Sequence, residues 1–494
     1  MTSLPTVLIL TYPEHGQANV NLAISYELAL AGVNVCIASF ASLRPRVSRL
    51  QALIDRHASH SGGTPPGSVI FRECKGVTPN WEAQAKCGIH DANLPHPYGL
   101  LGAAKGYSKM GAALFFWNQE EYLAAITSIK EIIATIKPDV VGVDPLFFAA
   151  QDACKLADQK FMIISPIGLK ESVVHAQPYM AAFWKYPAVL SGFPFPLKWW
   201  QIPLNIYLHI RCIIHFMSSA HMKQTYALRT SLGLKDHLSG IKPSPGMTYI
   251  CPALAEIDFP FTIIPKDILT CGPILIPFDP LEESDPELMK WLDNGPTVLI
   301  NLGSHVVSDE KLTREMVTAF RILLDHHDKK GGTSRIQVLW KVKADGDIQH
   351  VIDEILGKEI REKRVKVVAW LDVEPISILQ HANVVCIVHH GGANSFYEGV
   401  WSGVPHIVLP VWFDTYDYAL RAEFLNIGIF GNRTCAPGVR AEEFGKALVR
   451  VTGDSEEAVK LRTSAKHVKE VCRAKGIGRK LACAAILKEV GSKE

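Results

Sequence analysis

Residues 384–417 read VVCIVHHGGANSFYEGVWSGVPHIVLPVWFDTYD. The run Val384–Val388 is short, apolar and β-branched, the pattern of a strand buried on both faces. The turn His389-His390-Gly391-Gly392-Ala393 follows, and a short helix is expected from about Asn394 to Ser402. Gly403 stands where a helix end takes a left-handed residue. Pro405 stops further helix ahead of a second buried strand, His406–Leu409. A strand, a glycine turn and a helix N-terminus aim backbone N–H groups and the helix dipole at one point, which suits an anion. His390 adds a side-chain donor there. On these residues alone two readings stay open: a phosphate cradle, or a tight turn in an ordinary α/β unit. Ser395-Phe396-Tyr397-Glu398 likewise fits a capping box as well as a ligand contact.

The 494 residues are too many for one core, so two domains are expected. A hydrophobic content of 48% with 20% charged residues describes a folded globular protein. The formal net charge of +2 gives no basis for a nucleic-acid or acidic partner. The eleven cysteines show neither C-x-x-C nor metal-ligand spacing and read as reduced thiols of a reducing compartment. No signal-peptide pattern and no apolar run of membrane-spanning length is found, so a cytoplasmic protein is expected, with Asn432-Arg433-Thr434 an unused glycosylation sequon.

Outward from the decisive stretch, Thr6–Thr11, Leu22–Ala31 and Val33–Phe40 read as a strand, helix and strand. His15 lies in the turn after the first strand, and Asp144 directly after the strand Val140–Val143. Both belong on the rim where such sheets bind ligands. Further strands are expected at Phe161–Ser165, Thr297–Asn301, Gln337–Val342 and Val365–Trp370, with helix over most of Ala441–Val490. Residues 61–67 read as a flexible loop and 79–99 as a polar, turn-rich stretch. Asp345-Gly346-Asp347 reads as a polar turn and not as a metal site. Residues 176–217 are dense in aromatic side chains, with Lys185, Lys198 and Arg211 and no acidic residue. They fit a helical hairpin buried on the domain, an apolar lid over a substrate, or a peripheral membrane contact.

The spacing of His390, Gly392, Asn394, Ser395, Glu398, Gly403-Val404-Pro405, Pro410 and Asp414 resembles the donor-sugar box of UDP-dependent glycosyltransferases with the GT-B fold. The segments TYPEHGQANVNLA and VWFDTYDYA are most similar to fungal members. The resemblance implies an α/β architecture of two facing Rossmann-like domains. Residues 1–275 would bind the acceptor and carry the aromatic insertion at about 176–217. Residues 290–460 would bind the UDP-sugar, and 461–494 would pack back onto the first domain. It implies that His390, Gly392, Asn394 and Ser395 hold the diphosphate, with Ser304 near the outer phosphate. Glu398 would hold the ribose hydroxyls, Trp370 would stack on the uracil, and Asp414 and Thr415 would face the sugar. His15 would be the catalytic base, hydrogen-bonded to Asp144. Thr415 stands where plant members have Gln and Ala393 where they have Trp, which leaves the sugar open.

The function so implied is inverting transfer of a sugar, first of all glucose, from a UDP-sugar to a hydroxyl of a lipophilic small molecule such as a terpenoid, sterol or polyketide. The UDP-sugar is a co-substrate, with no cofactor and no metal, and a monomer is expected. The alternatives are a non-catalytic UDP-sugar-binding subunit, or a GT-B enzyme of another reaction such as an epimerase.

Overall fold

Apolar, β-branched runs at regular intervals build two parallel sheets, seen in a computed structural model that describes residues 4–61, 65–78, 81–89, 94–240, 242–329 and 335–491. The loop at 61–67 and the stretch at 79–99 lie partly outside the described residues. The first half supplies strands β1 Thr6–Leu10, β2 Asn34–Ser39, β3 Val69–Glu73, β4 Val140–Val143, β5 Met162–Ile164, β6 Tyr249–Cys251 and β7 Ile268–Thr270. They lie in the order β3-β2-β1-β4-β5-β6-β7. The second half supplies β8 Thr297–Asn301, β9 Val307–Ser308, β10 Gln337–Lys341, β11 Lys343–Ala344, β12 Val365–Val368, β13 Val384–His389, β14 His406–Val408 and β15 Gly428–Phe430. Its main sheet runs β12-β10-β8-β13-β14-β15, and β9 pairs with β11 apart from it.

Register sets what the strand ends present. β1 and β4 are parallel neighbours with Leu10 opposite Val143, so the segments bearing His15 and Asp144 leave the sheet side by side. β8 and β13 are neighbours with Ile300 opposite Val388, which brings Gly303-Ser304 beside the His390 turn. Helices cover both faces of each sheet. Val7, Leu8, Ile9 and Leu10 are all fully buried, which is why a continuous apolar run replaces the alternation of a half-exposed strand.

Sequence periodicity marks only the buried part of several helices. The first helix spans His15–Leu30, not Leu22–Ala31, so His15 opens a helix instead of sitting in a loop. Gly16, Gln17 and Asn19 are not buried, hence invisible to an apolar pattern. The helix expected from Asn394 begins at Ala393, with Gly392 as its N-cap and no side-chain cap. Ser395 is therefore inside the helix and the capping box with Glu398 is not formed. Gly403 ends it at φ 70°, in the left-handed region.

Polar links seat the two halves on each other. The Lys170 ammonium is 2.8 Å from Asp417, and Arg421 Nε donates to Asp258 at 2.9 Å, all four side chains being buried. Lys170 and Asp258 belong to the first half, Asp417 and Arg421 to the helix Thr415–Phe424 of the second. Buried pairs of this kind give little net stability, yet removing one partner costs about 3–5 kcal/mol, so they fix the orientation. The last helix, Gly478–Gly491, packs Ala482, Cys483 and Ile486 into the core formed by Val7, Ile9 and the first helix. Arg479 Nε donates to Glu27 there at 2.6 Å. Asn432 is fully buried, with Nδ2 donating to the Gly438 carbonyl at 2.9 Å, so the sequon is inaccessible in the folded chain.

Candidate active site

Where the carboxyl ends of the two sheets face each other lies a cleft of about 730 Å3. Its second-half wall begins with β13, whose end carries two histidines with separate tasks. His389 is fully buried; its Nδ1 accepts from Gly391 N at 3.1 Å, so Nε2 carries the proton donated to His406 Nδ1 at 3.0 Å. That pair pins the turn. His390 points into the cleft, and its Nδ1 is buried with no protein hydrogen bond. Burial, then the nearby His305 and Lys341, pushes its pKa down to about 4, so the ring is neutral at neutral pH.

Two glycines are required by this packing. Gly391 has φ 91°, and a Cβ there would come within 2.4 Å of the Thr415 carbonyl oxygen. Gly303, at φ 83°, leaves room for the His390 ring, which a Cβ would approach to 2.6 Å. The helix Ala393–Ser402 then opens at the cleft with Gly392, Ala393, Asn394 and Ser395 on its lining. Unpaired N–H groups at a helix start favour an anion.

Ser304, Trp370, Glu398, Asp414 and Thr415 line the same cleft. Trp370 is 54% exposed, so it is a platform and not a core aromatic. Glu398 is almost fully buried, and burial followed by the charge of Glu374 raises its pKa to about 8. Asp414 is raised to about 6 by burial, then by Asp417. The Thr415 hydroxyl is engaged locally: it donates to the Trp412 carbonyl and accepts from Trp412 N at 3.1 Å.

On the opposite wall His15 lines the cleft, its ring 5.9 Å from that of Trp370. Its surface is exposed to the cleft, where partial loss of solvent, with Arg46 next, lowers its pKa to about 4. Asp144 is fully buried and is not on the cleft surface. Its carboxylate accepts from Leu146 N at 2.8 Å and from Thr11 Oγ1 at 3.5 Å, and burial raises it to about 7. No hydrogen bond joins Asp144 to His15 among the described residues. The two meet through the segment Thr11–Glu14, which leads from β1 to His15.

Several cleft residues carry no sequence motif. Lys341 ends β10 with its ammonium 4.4 Å from the Trp370 ring centroid and donating to the Gly303 carbonyl. Burial, then Lys343, lowers it to about 8. Its place at a strand end beside β8 was the one signal available. The walls also touch: Asn394 Nδ2 donates to the His15 carbonyl at 3.1 Å, and His305 Nε2 is 3.0 Å from Glu14 Oε2. Such contacts join residues hundreds apart in sequence and leave no local pattern. Arg46 lines the cleft with its pKa lowered to about 10 by burial, against the opposing pull of Glu374.

Outside the cleft, Asp347 Oδ1 accepts from Gln349 N at 3.0 Å in an exposed turn. All eleven cysteines are free thiols. No helix among the described residues is long and apolar enough to cross a membrane.

The UDP-glucoronosyl and UDP-glucosyl transferase family model matches residues 250–432. Glycosyltransferase sdnJ of Sordaria araneosa is 37% identical over 96% of this chain and 95% of its own. Erythritol-mannosyl-transferase 1 of Mycosarcoma maydis is 34% identical, over 93% and 87%. Among solved structures, a UDP-glucosyltransferase of Polygonum tinctorium superposes with a TM-score of 0.60 at 16% identity, covering 99% of this chain and all of that one. The glycotransferase of kitacinnamycin gives 0.62 at 15% identity, with the same coverage. The two-sheet arrangement is thus the GT-B fold, and the chain belongs to the UDP-glycosyltransferase family of enzymes.

Proposed function

We propose that the protein transfers a neutral hexose, first of all glucose, from its UDP conjugate to a hydroxyl of a lipophilic small molecule such as a terpenoid, sterol or polyketide, with inversion at the anomeric carbon. One observation carries this reading: an anion cradle with an unpartnered imidazole and a neutral histidine on the other domain face each other across one cleft. In this reading the diphosphate lies on the helix start Gly392–Ser395 with His390, Ser304 and the Lys341 ammonium. Trp370 supports the uracil and Glu398 receives the ribose hydroxyls. Asp414 stands near the sugar, where a carboxylate disfavours a uronic acid and accepts from a neutral sugar's hydroxyls. Thr415 closes the turn that carries it.

His15, neutral at working pH, takes the proton of the acceptor hydroxyl as its oxygen bonds to the anomeric carbon. The bond from that carbon to the diphosphate breaks, and the cradle's donors and Lys341 receive the developing charge. Asp144 holds the segment from which His15 starts. The free thiols suit a reducing compartment, the cytoplasm.

The test is a UDP-sugar panel read by thermal shift, followed by incubation with alcohol acceptors and assignment of the product's anomeric configuration by NMR. His15→Ala should lower turnover on an alcohol by roughly a hundred- to ten-thousandfold with UDP affinity unchanged. Near-normal turnover in that variant, or retention of the donor's configuration, refutes the mechanism.

A further inference from the structure

A surface helix normally buries its apolar face and turns polar residues to water. The helix Ile202–Ser218 buries Leu208 in a cluster with Ala103, Tyr107 and Leu190, but it leaves a second apolar face in water. Its inward face holds Asn205, fully buried, whose side chain accepts from Ala188 N at 2.7 Å and donates to the carbonyls of Phe183 and Tyr186. Its outward face holds Leu204, Tyr207, Ile210, Ile213, Ile214 and Met217, all exposed. The preceding turn adds Trp199, which is 79% exposed, and Trp200. Beside it, the turn Pro178–Met180 exposes Tyr179 to 89%. A continuous apolar surface of this kind on a folded chain marks an interaction site. None of these residues lines the cleft, so the surface is not a wall of the donor site.

The charges identify what covers it. Between Glu171 and Asp236 the sequence contains no Asp or Glu, but it contains Lys185, Lys198, Arg211, Lys223, Arg229 and Lys235. Arg229 is buried against Asp152; Lys198 and Lys223 are exposed. The cations at the patch sit beside aromatic rings: the Lys198 ammonium is 5.1 Å from the Trp200 ring, and Arg211 donates to the Tyr207 hydroxyl at 2.8 Å. The helix Gly99–Leu114, packed alongside, exposes Leu101 and Lys105 and also lacks acidic residues. A protein partner, this chain included, would ordinarily be met by a rim of mixed charge. Aliphatic residues with Trp and Tyr at their edge, and only positive charge within the segments 172–235 and 99–114 that form the face, match the boundary between lipid headgroups and acyl chains. Seventeen residues make a helix about 25 Å long, which lies in that plane and does not cross it.

We propose that the face formed by Trp199–Trp200 and the helix Ile202–Ser218 docks the protein on the surface of an anionic phospholipid bilayer. The aliphatic and aromatic side chains enter the interface, and Lys198, Arg211 and Lys223 meet the lipid phosphates. The cleft stays outside the contact and remains open to a soluble donor.

The test is co-sedimentation of the full chain with phosphatidylcholine vesicles and with phosphatidylcholine–phosphatidylserine vesicles at low ionic strength. The wild type should partition onto the mixed vesicles, less onto phosphatidylcholine alone. Ile213→Glu/Ile214→Glu should partition at least about tenfold less. These positions are exposed, and an unchanged circular dichroism spectrum and UDP affinity would show the variant folded. Light scattering of the vesicle-free protein covers the rival occupant. No partitioning of the wild type, equal partitioning of the variant, indifference to phosphatidylserine, or a dimer that the double substitution splits would each overturn the proposal. Vesicle binding is read without turnover, so it stands or falls apart from the choice of acceptor.

Discussion

The sharpest test of the cradle is His390→Ala. In the free protein the His390 Nδ1 is buried without a partner, which costs about 1–3 kcal/mol. A diphosphate oxygen would satisfy the ring, and a hydrogen bond to a charged group contributes about 1.5–3 kcal/mol net. Removing the ring should therefore weaken UDP binding by roughly 10- to 150-fold. Calorimetry with UDP and with uridine separates this from a disturbed fold, because uridine has no phosphate and should bind both proteins alike. His390→Gln keeps bulk against Gly303 and an amide donor, and should recover part of the loss. If His390→Ala binds UDP as the wild type does, or loses uridine as much as UDP, the cradle is wrongly placed.

Two more outcomes follow from the shifted groups. Lys341, held at about 8, should gain charge when the diphosphate binds, so UDP binding near pH 8 should take up protons; calorimetry in buffers of different ionisation enthalpy measures this, and Lys341→Met should abolish it. Burial pushes the Asp144 carboxyl up to about 7, against about 3.9 for a free aspartate. The folded state thus holds a proton that the unfolded state releases, and wild-type stability should fall as pH rises through that interval and level off above 7. Between pH 5 and pH 8 Asp144→Asn should gain up to about 3 kcal/mol relative to wild type, read from urea unfolding; a difference independent of pH would mean that Asp144 is ionised throughout.

The central strands were legible because they are short apolar runs, and burial on both faces imposes that composition. Val384–His389 and Thr297–Asn301 are instances. Most of the residues proposed to hold the nucleotide lie in one contiguous stretch, and it was the resemblance over that stretch, not the Gly391 turn alone, that singled them out. Helix starts were not legible, because His15, Gly16 and Gln17 leave an apolar pattern unmarked. The bond expected between His15 and Asp144 was implied by the resemblance; their common rim and the strand register fix only where the chain leaves the sheet. Asp144's oxygens are taken by Thr11 and Leu146 instead. Lys341, His305 and Arg46 reach the cleft by tertiary packing alone. The aromatic stretch showed its composition but not its direction; which residues face water depended on Asn205 turning inward.

The contacts across the cleft bind donor recognition to placement of the proposed base. Asn394 belongs to the helix start that would hold the diphosphate, and its side chain donates to the carbonyl of His15 itself. Glu14, one residue earlier, pairs with His305, one residue after Ser304. Each half of the cleft thus supplies one partner to each link, and both links flank the groups that would act in transfer. Separating the walls by a few Å breaks both at once, beyond hydrogen-bond reach. A UDP-sugar that draws in Ser304 and Asn394 consequently draws in the first turn of the helix that His15 opens. Coupling of this kind is reciprocal. An acceptor that settles against His15 should tighten the donor by the same factor by which the donor tightens the acceptor, and that order follows from the two links without any motion inside either sheet.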